Sequence, residues 1–335
     1  MNTGWEIGTN EQKQALLACV RNVALAALQQ YDLEWTEIKF NKMSDTITYK
    51  ITTENKDCFL LRIHNNSRKQ AEIYGEIMFL EHLKNMKVIA PVAQETKSGE
   101  YVLNSKISDS EILHVTLMNW INGKLISTPT DIQIRNTGRL LAQIHNAGES
   151  FTPEETMSFP EWGVGSFREN MKKLSQYYSV FLSEKEWKVY QNAADKIISE
   201  LDSINKFSQN YGIIHGDFHM ENIIFSRNAA FPIDFGRCGY GYYLYDIAST
   251  ILGLSWRSRK KYIEGYTSIR KLEADYEGLL EMMFIKVMIE NYCHHCSDPR
   301  ETEGLIAEQP YALAFMQAYL NGQSFLFQPL QITTE

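Results

Sequence analysis

Residues 213–235 constrain the fold more than any other part of this 335-residue chain. Within them the polar loop HGDFHMEN, at 215–222, lies between two apolar stretches. A turn at 226–228 and the apolar residues 231–233 then predict a β-hairpin, because turn residues between apolar stretches reverse the chain direction. The second stretch ends at Asp-Phe-Gly, residues 234–236. The pattern predicts a compact β-rich element with polar side chains at its open end.

This open end carries a candidate metal site. If the strands pair symmetrically about Asn228, Asn222 lies opposite Asp234. Mg²⁺ prefers oxygen ligands and keeps several positions for water and substrate phosphates, so one amide oxygen and one carboxylate suit it. Asp217 lies on the loop that leads into the same end, where its carboxylate can accept a hydrogen bond from an attacking hydroxyl group. The alternative interpretation is a polar surface loop between two core strands.

The spacing His-x-Asp-x-x-x-x-Asn followed by Asp-Phe-Gly resembles the catalytic loop and the metal-binding motif of protein kinases. In the form HGDFHMEN it is more similar to the aminoglycoside phosphotransferase and choline kinase family. The resemblance extends from about Phe40 to Tyr266, because other stretches match that family in the same order. These stretches are FLLRIH at 59–64, GEIMFLEHL at 75–83, MNWINGK at 118–124, GRLLAQIH at 138–145, YDIAS at 245–249 and YIEGY at 262–266.

The resemblance implies an α+β, two-lobed protein-kinase-like fold, with an N-terminal antiparallel sheet that includes one helix and a mainly helical C-terminal lobe. The apolar periodicity agrees, since it predicts a helix at 69–83 and mostly helices after residue 123. The predicted strands are 38–40, 46–51, 58–63, 88–92 and 113–118. We assign 1–118 to a nucleotide-binding lobe, 119–123 to a hinge, and 124–335 to the catalytic and substrate lobe.

The resemblance also implies the nucleotide contacts. Arg62 stands where protein kinases have a lysine that contacts the α- and β-phosphates, and Glu76 on the following helix is expected to hold it. No glycine-rich loop precedes the second strand, so the turn with Ser44 is expected to contact phosphate through backbone amides and its hydroxyl group. The backbone from Met118 is expected to bind adenine, with Trp120 beside the base.

A purely structural interpretation stays open for three of these residues. Arg62 would then be a surface side chain whose apolar stem lies along the protein, and Glu76 a solvated helix residue. Trp120 would be an aromatic residue packed between the lobes. Three other polar residues, His145, His215 and Asp246, are expected to be architectural, with Asp246 fixing the catalytic loop or capping a helix.

These features predict an ATP- and Mg²⁺-dependent phosphotransferase that moves the γ-phosphate to a hydroxyl group of a small molecule, of the aminoglycoside, amino alcohol, homoserine or sugar type. One alternative is a Ser/Thr protein kinase, but only eleven residues separate Asp234 from Asp246, too few for a long peptide-docking segment, and no Ala-Pro-Glu closes it. Another is a catalytically silent nucleotide-binding module. The sequence does not choose the acceptor.

The composition of the chain limits the kinds of binding partner and the cellular compartment that we expect. The net charge of −8 and the absence of clustered Lys and Arg argue against nucleic acid. The N-terminus lacks the features of a signal peptide, and no apolar stretch is long enough to span a membrane, so we expect a cytoplasmic protein. Five scattered cysteines agree with a reducing compartment. The motif Cys293-His294-His295-Cys296 supplies only half of a zinc site.

The acidic balance suggests a cationic acceptor. Five carboxylates lie in or after a helix expected to line the acceptor pocket, namely Glu281, Glu290, Asp298, Glu301 and Glu303. If some of them line the pocket, an amine-bearing alcohol is attracted and an anionic one repelled. The alternative is that they form a solvated helical face.

Overall fold

The computed structural model describes Trp5, residues 9–108 and residues 111–330. These residues form two compact units, one made of the chain up to residue 122 together with 152–159, the other of 123–151 and the chain from 160 onward. The role of 119–123 as a hinge stays a prediction.

The first unit begins with helix α1 (Asn10–Leu28). Thr9 and Gln12 form a capping box at its start, in which the Gln12 amide donates to the Thr9 hydroxyl at 3.2 Å and the Thr9 amide donates to the Gln12 side chain at 3.0 Å. Such a box satisfies amides that a helix start leaves unpaired. Val20 and Leu28 of the helix belong to the same core as Ile47 and other buried residues of the sheet.

The same unit contains an antiparallel sheet with the strand order β1-β2-β3-β5-β4. Helix α2 (Gln70–Asn85) follows the third strand. The strands are β1 (Trp35–Met43), β2 (Thr46–Thr53), β3 (Cys58–His64), β4 (Leu103–Ser108) and β5 (Glu111–Asn119). The predicted fold class, with this sheet and helix followed by a mainly helical part, is confirmed.

One predicted strand is wrong. Residues 88–92 form no strand, and the fourth strand is β4, which the periodicity did not indicate. The segment instead runs beside the end of β5, where the Asn119 amide donates to the Val92 carbonyl at 2.9 Å and an isolated bridge joins Ala93 to Met118. Pro91 lacks an N–H group, so this segment cannot complete a strand ladder.

The second unit is mainly helical, with two short antiparallel strand pairs, β6 with β9 and β7 with β8. None of the helices in the described part of the chain is both long and apolar enough to cross a membrane. The helices are α3 (Asp131–Ser150), α4 (Val164–Tyr177), α5 (Glu184–Ser203), α6 (Tyr243–Leu252), α7 (Trp256–Thr267), α8 (Tyr276–His295) and α9 (Thr302–Leu320). The strands are β6 (Tyr211–Ile214), β7 (Ile223–Ser226), β8 (Ala229–Pro232) and β9 (Gly239–Tyr242).

Helices α3 and α7 touch backbone to backbone through two glycines. A Cβ atom at Gly138 would lie 2.2 Å from the Tyr262 carbonyl oxygen, and one at Gly265 would lie 2.0 Å from the Arg135 carbonyl oxygen. No side chain fits at either position without moving a backbone. The contact fixes α7 against the helix that carries His145.

We expect Gly138→Ala to lower the free energy of unfolding by about 1–3 kcal/mol, because the added methyl group forces α3 and α7 apart. Gly278→Ala is the matched control, since a Cβ atom there meets nothing within 4 Å. In helix α8 that change should instead raise stability by about 0.5–1 kcal/mol. Urea unfolding of both variants measures the difference, and equal stabilities would contradict the close packing.

Candidate active site

The hairpin at 223–232 forms, with a register one residue away from the predicted one. Ser226 pairs with Ala229 and Ile223 with Pro232, and the Ile233 amide donates to the Asn222 carbonyl at 2.9 Å. Asn222 therefore lies opposite Ile233 and not opposite Asp234. The reason is the turn, which contains two residues instead of three, with Arg227 at a φ of 55°.

Asp234 still lies at the open end with Asn222. Its neighbour Ile233 is held on both sides, since its amide bonds to Asn222 and its carbonyl oxygen lies 3.0 Å from His215 Nε2. Asp234 itself adopts a left-handed conformation with a φ of 62° and directly precedes a 3₁₀ turn at Phe235–Arg237. The backbone thus ties Asp234 to the catalytic loop.

Asn222 is oriented by Asp217. The Asn222 Nδ2 group donates to the backbone oxygen of Asp217 at 2.9 Å and to its Oδ2 atom at 3.1 Å, and lies 3.1 Å from His219 Nε2. An amide whose nitrogen is engaged in this way presents its oxygen as the acceptor. An amide oxygen and the Asp234 carboxylate at the same end fit a hard divalent cation.

Asp217 is held in its ionised form. Burial alone would raise its pKa, but the His219 side chain, whose Nε2 atom lies 3.6 Å from Oδ2, and the charge of Arg237 lower that pKa well below its usual range. The pKa of His219 is raised in turn: burial opposes its charge, and the Asp217 carboxylate outweighs burial. The side chain of Asp217 is 35% exposed, so a substrate can reach it.

Asp246 fixes the catalytic loop, as expected from the sequence. Its Oδ2 atom accepts from the His215 amide at 2.7 Å and its Oδ1 atom from the Gly216 amide at 2.9 Å. His145 Nε2 lies 3.2 Å from the same Oδ2 atom, and both side chains are fully buried. Gly216 adopts a φ of 76°, where a Cβ atom would also lie 2.2 Å from the Arg237 carbonyl oxygen. His145, His215 and Asp246 are therefore architectural.

In the first unit, Arg62 and Glu76 meet as predicted. Arg62 Nη1 lies 2.5 Å from Glu76 Oε1, and Arg68 Nη2 lies 2.6 Å from Oε2. Burial raises the pKa of the Glu76 carboxyl, but the two arginines outweigh it and lower that pKa to about 2. The sequence analysis missed Arg68. This residue lies two positions before helix α2, close enough for its guanidinium group to pair with the Glu76 carboxylate on that helix.

The other predicted nucleotide residues lie in the same unit. The Ser44 amide donates to the Thr46 carbonyl at 3.0 Å in the turn between β1 and β2. Met118 is buried at the end of β5. The Trp120 amide already donates to the Cys58 carbonyl at 3.1 Å, and Lys50 Nζ lies 4.8 Å from the centre of its ring. An adenine base that binds to this segment must therefore form its hydrogen bonds with other backbone groups.

Three of the five carboxylates suggested for a cationic acceptor bind partners in their own chain. Glu281 accepts from the Phe325 amide at 2.9 Å, and Glu290 accepts from Lys286 at 2.8 Å. Asp298 lies 2.6 Å from Arg300. Glu303 lies in the first turn of α9, and Glu301 occupies the N-cap position of that helix without a capping hydrogen bond from its side chain. In the part of the chain that the structure describes, none of these five side chains is hydrogen-bonded directly to Asp217.

Fold and site together define a phosphotransferase of the protein-kinase-like class. The model of the phosphotransferase enzyme family (APH) matches residues 38–281. Amicoumacin kinase of Bacillus subtilis (strain 168) is 23% identical over 239 residues, which cover 70% of this chain and 68% of that kinase.

Two solved structures share the fold. An amicoumacin kinase in complex with AMP-PNP, Ca²⁺ and Ami superposes with a TM-score of 0.78 at 15% identity, covering 95% of this chain and 98% of that one. A microcompartment-associated aminopropanol kinase gives a TM-score of 0.77 at 20% identity, covering 93% and 99%.

The chain belongs to the phosphotransferase enzyme family. This confirms the predicted family, fold and activity, an ATP-dependent kinase that phosphorylates a hydroxyl group of a small molecule. The predicted nucleotide and divalent cation agree with the AMP-PNP and Ca²⁺ in the amicoumacin kinase complex. The assignments of individual site residues stay predictions.

The Glu76 ion pairs predict a pH dependence of stability. Unfolded Glu76 takes up a proton near its ordinary pKa of 4.5, whereas folded Glu76 stays ionised until about 2. Its contribution is therefore complete above pH 4.5 and is lost as the pH falls toward 2. We expect Glu76→Gln to lower the free energy of unfolding by about 3 kcal/mol at pH 7. Between pH 5 and pH 2 the free energy of unfolding of this variant should fall less steeply than that of the wild type.

Denaturant unfolding at a series of pH values measures this dependence. Glu81→Gln is the matched control, because Glu81 lies on the same helix and pairs with Lys84 at 3.1 Å near the surface. The control should keep the wild-type acid dependence. Parallel curves for wild type and Glu76→Gln would contradict the ion-pair argument.

Proposed function

We propose that Asp217 is the base of this kinase and receives the proton of the acceptor hydroxyl group. The observation that supports this is the position of its carboxylate, which is 35% exposed and accepts a hydrogen bond from Asn222 Nδ2 at 3.1 Å, and its pKa is lowered by His219 and Arg237. An ionised carboxylate within reach of a hydroxyl group orients it and takes its proton as the bond to phosphorus forms. His219 and Arg237 keep Asp217 in that state.

We assign the divalent cation to Asn222 and Asp234. When bound, Mg·ATP supplies the phosphoryl group, and the cation offsets the charge on the phosphates. Asp217 contributes to this assignment indirectly, because its hydrogen bond to Asn222 Nδ2 sets the direction of the amide oxygen. The proposed base and one proposed cation ligand, Asn222, therefore belong to one hydrogen-bonded loop.

We assign the nonreacting phosphates to Arg62, with Ser44 in the neighbouring turn. The carboxylate of Glu76 fixes one edge of the Arg62 guanidinium group, and Arg68 balances the second carboxylate oxygen. A guanidinium held in this way loses little conformational entropy when it binds phosphate. Met118 and Trp120 are proposed for the adenine side.

A small-molecule acceptor is supported by the segment that follows Asp234. A 3₁₀ turn, strand β9 and the start of helix α6 occupy residues 235–246. These elements are short and paired, and strand β9 bonds to β6. The segment offers no extended stretch on which a peptide docks, which disfavours a protein acceptor. Labelled ATP with a generic protein substrate tests that alternative, and efficient labelling would support it.

We expect Asp217→Asn to lower kcat by about 10²- to 10⁴-fold with little change in the Kd of Mg·ATP, because the amide oxygen of the new side chain still accepts from Asn222 Nδ2 but cannot take up the proton. ADP release against a panel of hydroxylated metabolites and antibiotics first identifies an acceptor. Asp202→Asn is the control, since Asp202 pairs with Arg168 at the surface. Asp234→Ala should instead weaken Mg·ATP binding itself. Near wild-type turnover in Asp217→Asn would refute the assignment.

We further propose that the acceptor carries an amine. The net charge of −8 favours a cation, and the aminopropanol kinase shares the fold. We expect kcat/KM for 1-aminopropan-2-ol to exceed that for propane-1,2-diol and to fall as ionic strength rises, because salt screens the attraction. The diol is the matched control and should show no salt effect. Equal rates for both alcohols would exclude charge recognition.

A further inference from the structure

A cavity with a volume of about 350 Å³ lies within the C-terminal unit, among residues that the proposed reaction does not use. Ligand pockets have volumes of ~300–1,000 Å³ and mostly apolar and aromatic walls with a few polar groups. The walls of this cavity include Leu272, Leu279, Met283, Tyr243, Tyr266 and Tyr276. Its size and lining are those of a site for a small molecule.

The charged groups at this cavity balance one another. Arg270 stacks over the Tyr243 ring at 4.5 Å, and its Nη1 group donates to Glu149 at 2.6 Å and to Asn146 at 2.7 Å. Lys271 and Glu273 add one charge of each sign to the lining. An ion gains no net attraction from such a lining, whereas an uncharged aromatic ring gains contact with the Tyr276 ring and with the apolar side chains of Leu272 and Leu279.

Two walls of the cavity hold His145. The Tyr266 hydroxyl group lies 2.9 Å from His145 Nδ1, and the centre of the Tyr243 ring lies 4.6 Å from the centre of the His145 ring. The other nitrogen of His145 lies 3.2 Å from Asp246 Oδ2. Asp246 in turn holds the amides of His215 and Gly216, directly before Asp217. A continuous set of contacts thus joins the cavity to the catalytic loop.

We propose that this cavity is a second binding site, for an uncharged aromatic small molecule, and that its occupancy acts on the catalytic loop through Tyr266, His145 and Asp246. A molecule that packs against the partly exposed lining residues Leu272, Tyr276 and Leu279 fills the cavity beside the Tyr243 and Tyr266 rings, which are themselves almost fully buried, and so restricts the two groups that position His145. Restricting His145 strengthens its hold on Asp246 and so on the loop amides. Thermodynamic linkage makes this coupling reciprocal, so a change that stabilises the loop conformation also strengthens binding in the cavity.

Indole is the probe for the site, because it is aromatic, uncharged and small enough for the cavity. Titration of the full chain by calorimetry or ligand-observed NMR should show binding. Leu279→Trp fills the cavity and should weaken indole binding by about tenfold or more. Ile306→Trp is the control, since Ile306 is 51% exposed on α9 and does not line the cavity. If Leu279→Trp does not fold, Leu272→Trp makes the same test from a different element.

Amide hydrogen exchange tests the coupling without an activity assay. Indole should slow the exchange of the His215 and Gly216 amides in the wild type, because both donate to Asp246. Tyr266→Phe keeps the aromatic wall but removes the hydroxyl group, so it should bind indole and lose the effect on exchange. Failure of indole to bind, or equal binding in the cavity-filling variants, overturns the site. Unchanged exchange in the wild type overturns the coupling.

Discussion

The buried carboxylate of Asp246 is the interaction on which the rest of the catalytic unit depends. A charge without contact with water is costly unless hydrogen bonds satisfy it, and Asp246 has three such contacts, to the amides of His215 and Gly216 and to His145. The two amides fix a loop conformation that needs a positive φ at Gly216. Asp217 follows directly, so its direction is set by a side chain that is itself fully buried.

From that fixed loop the remaining geometry follows by short steps. His215 reaches across to the Ile233 carbonyl, and Asn222 bonds to the backbone and side chain of Asp217. The hairpin then places Asp234 at the same end. Each step joins residues that are close in sequence or lie on paired strands, which explains why a single motif spacing carried so much information.

The sequence predicted best what local contacts determine, and least well what depends on distant ones. The catalytic loop, the hairpin and the Arg62–Glu76 pair were all predicted, because each rests on a motif or on adjacent elements. The hairpin register was wrong by one residue, since the conformation of Arg227 decides the turn length. The strand β4 was missed because its residues LNSKIS lack a clear apolar alternation and their partner β5 determines their structure. Arg68 was missed because only the folded helix brings it to Glu76.

The pKa values of two carboxylates, Glu76 and Asp217, are both lowered, yet the surroundings of the two side chains differ. The difference suits Glu76 to a structural role and Asp217 to the proposed catalytic role. Glu76 is 1% exposed and bound by two arginines, so both of its oxygens already face positive charge. Asp217 is 35% exposed, and His219 Nε2 lies 3.6 Å from its Oδ2 atom. Both oxygens of the first carboxylate are bound by arginines, so its role is to position Arg62. The second is accessible from solvent, as the proposed proton acceptor must be.

The helices divide along the same line. Helices α3, α6 and α7 contribute the groups that hold the loop, and the glycine contacts at Gly138 and Gly265 leave no room for variation between α3 and α7. On helix α8, Lys286 pairs with Glu290 within the helix at 2.8 Å, and Asn170 of α4 also donates to Glu290 at 3.2 Å. A change on the exposed side of α8 or α9 therefore leaves Asp246 and its partners untouched. The contacts that hold Asp217 and Asn222, the proposed base and a proposed cation ligand, are therefore separate from the exposed sides of these two helices.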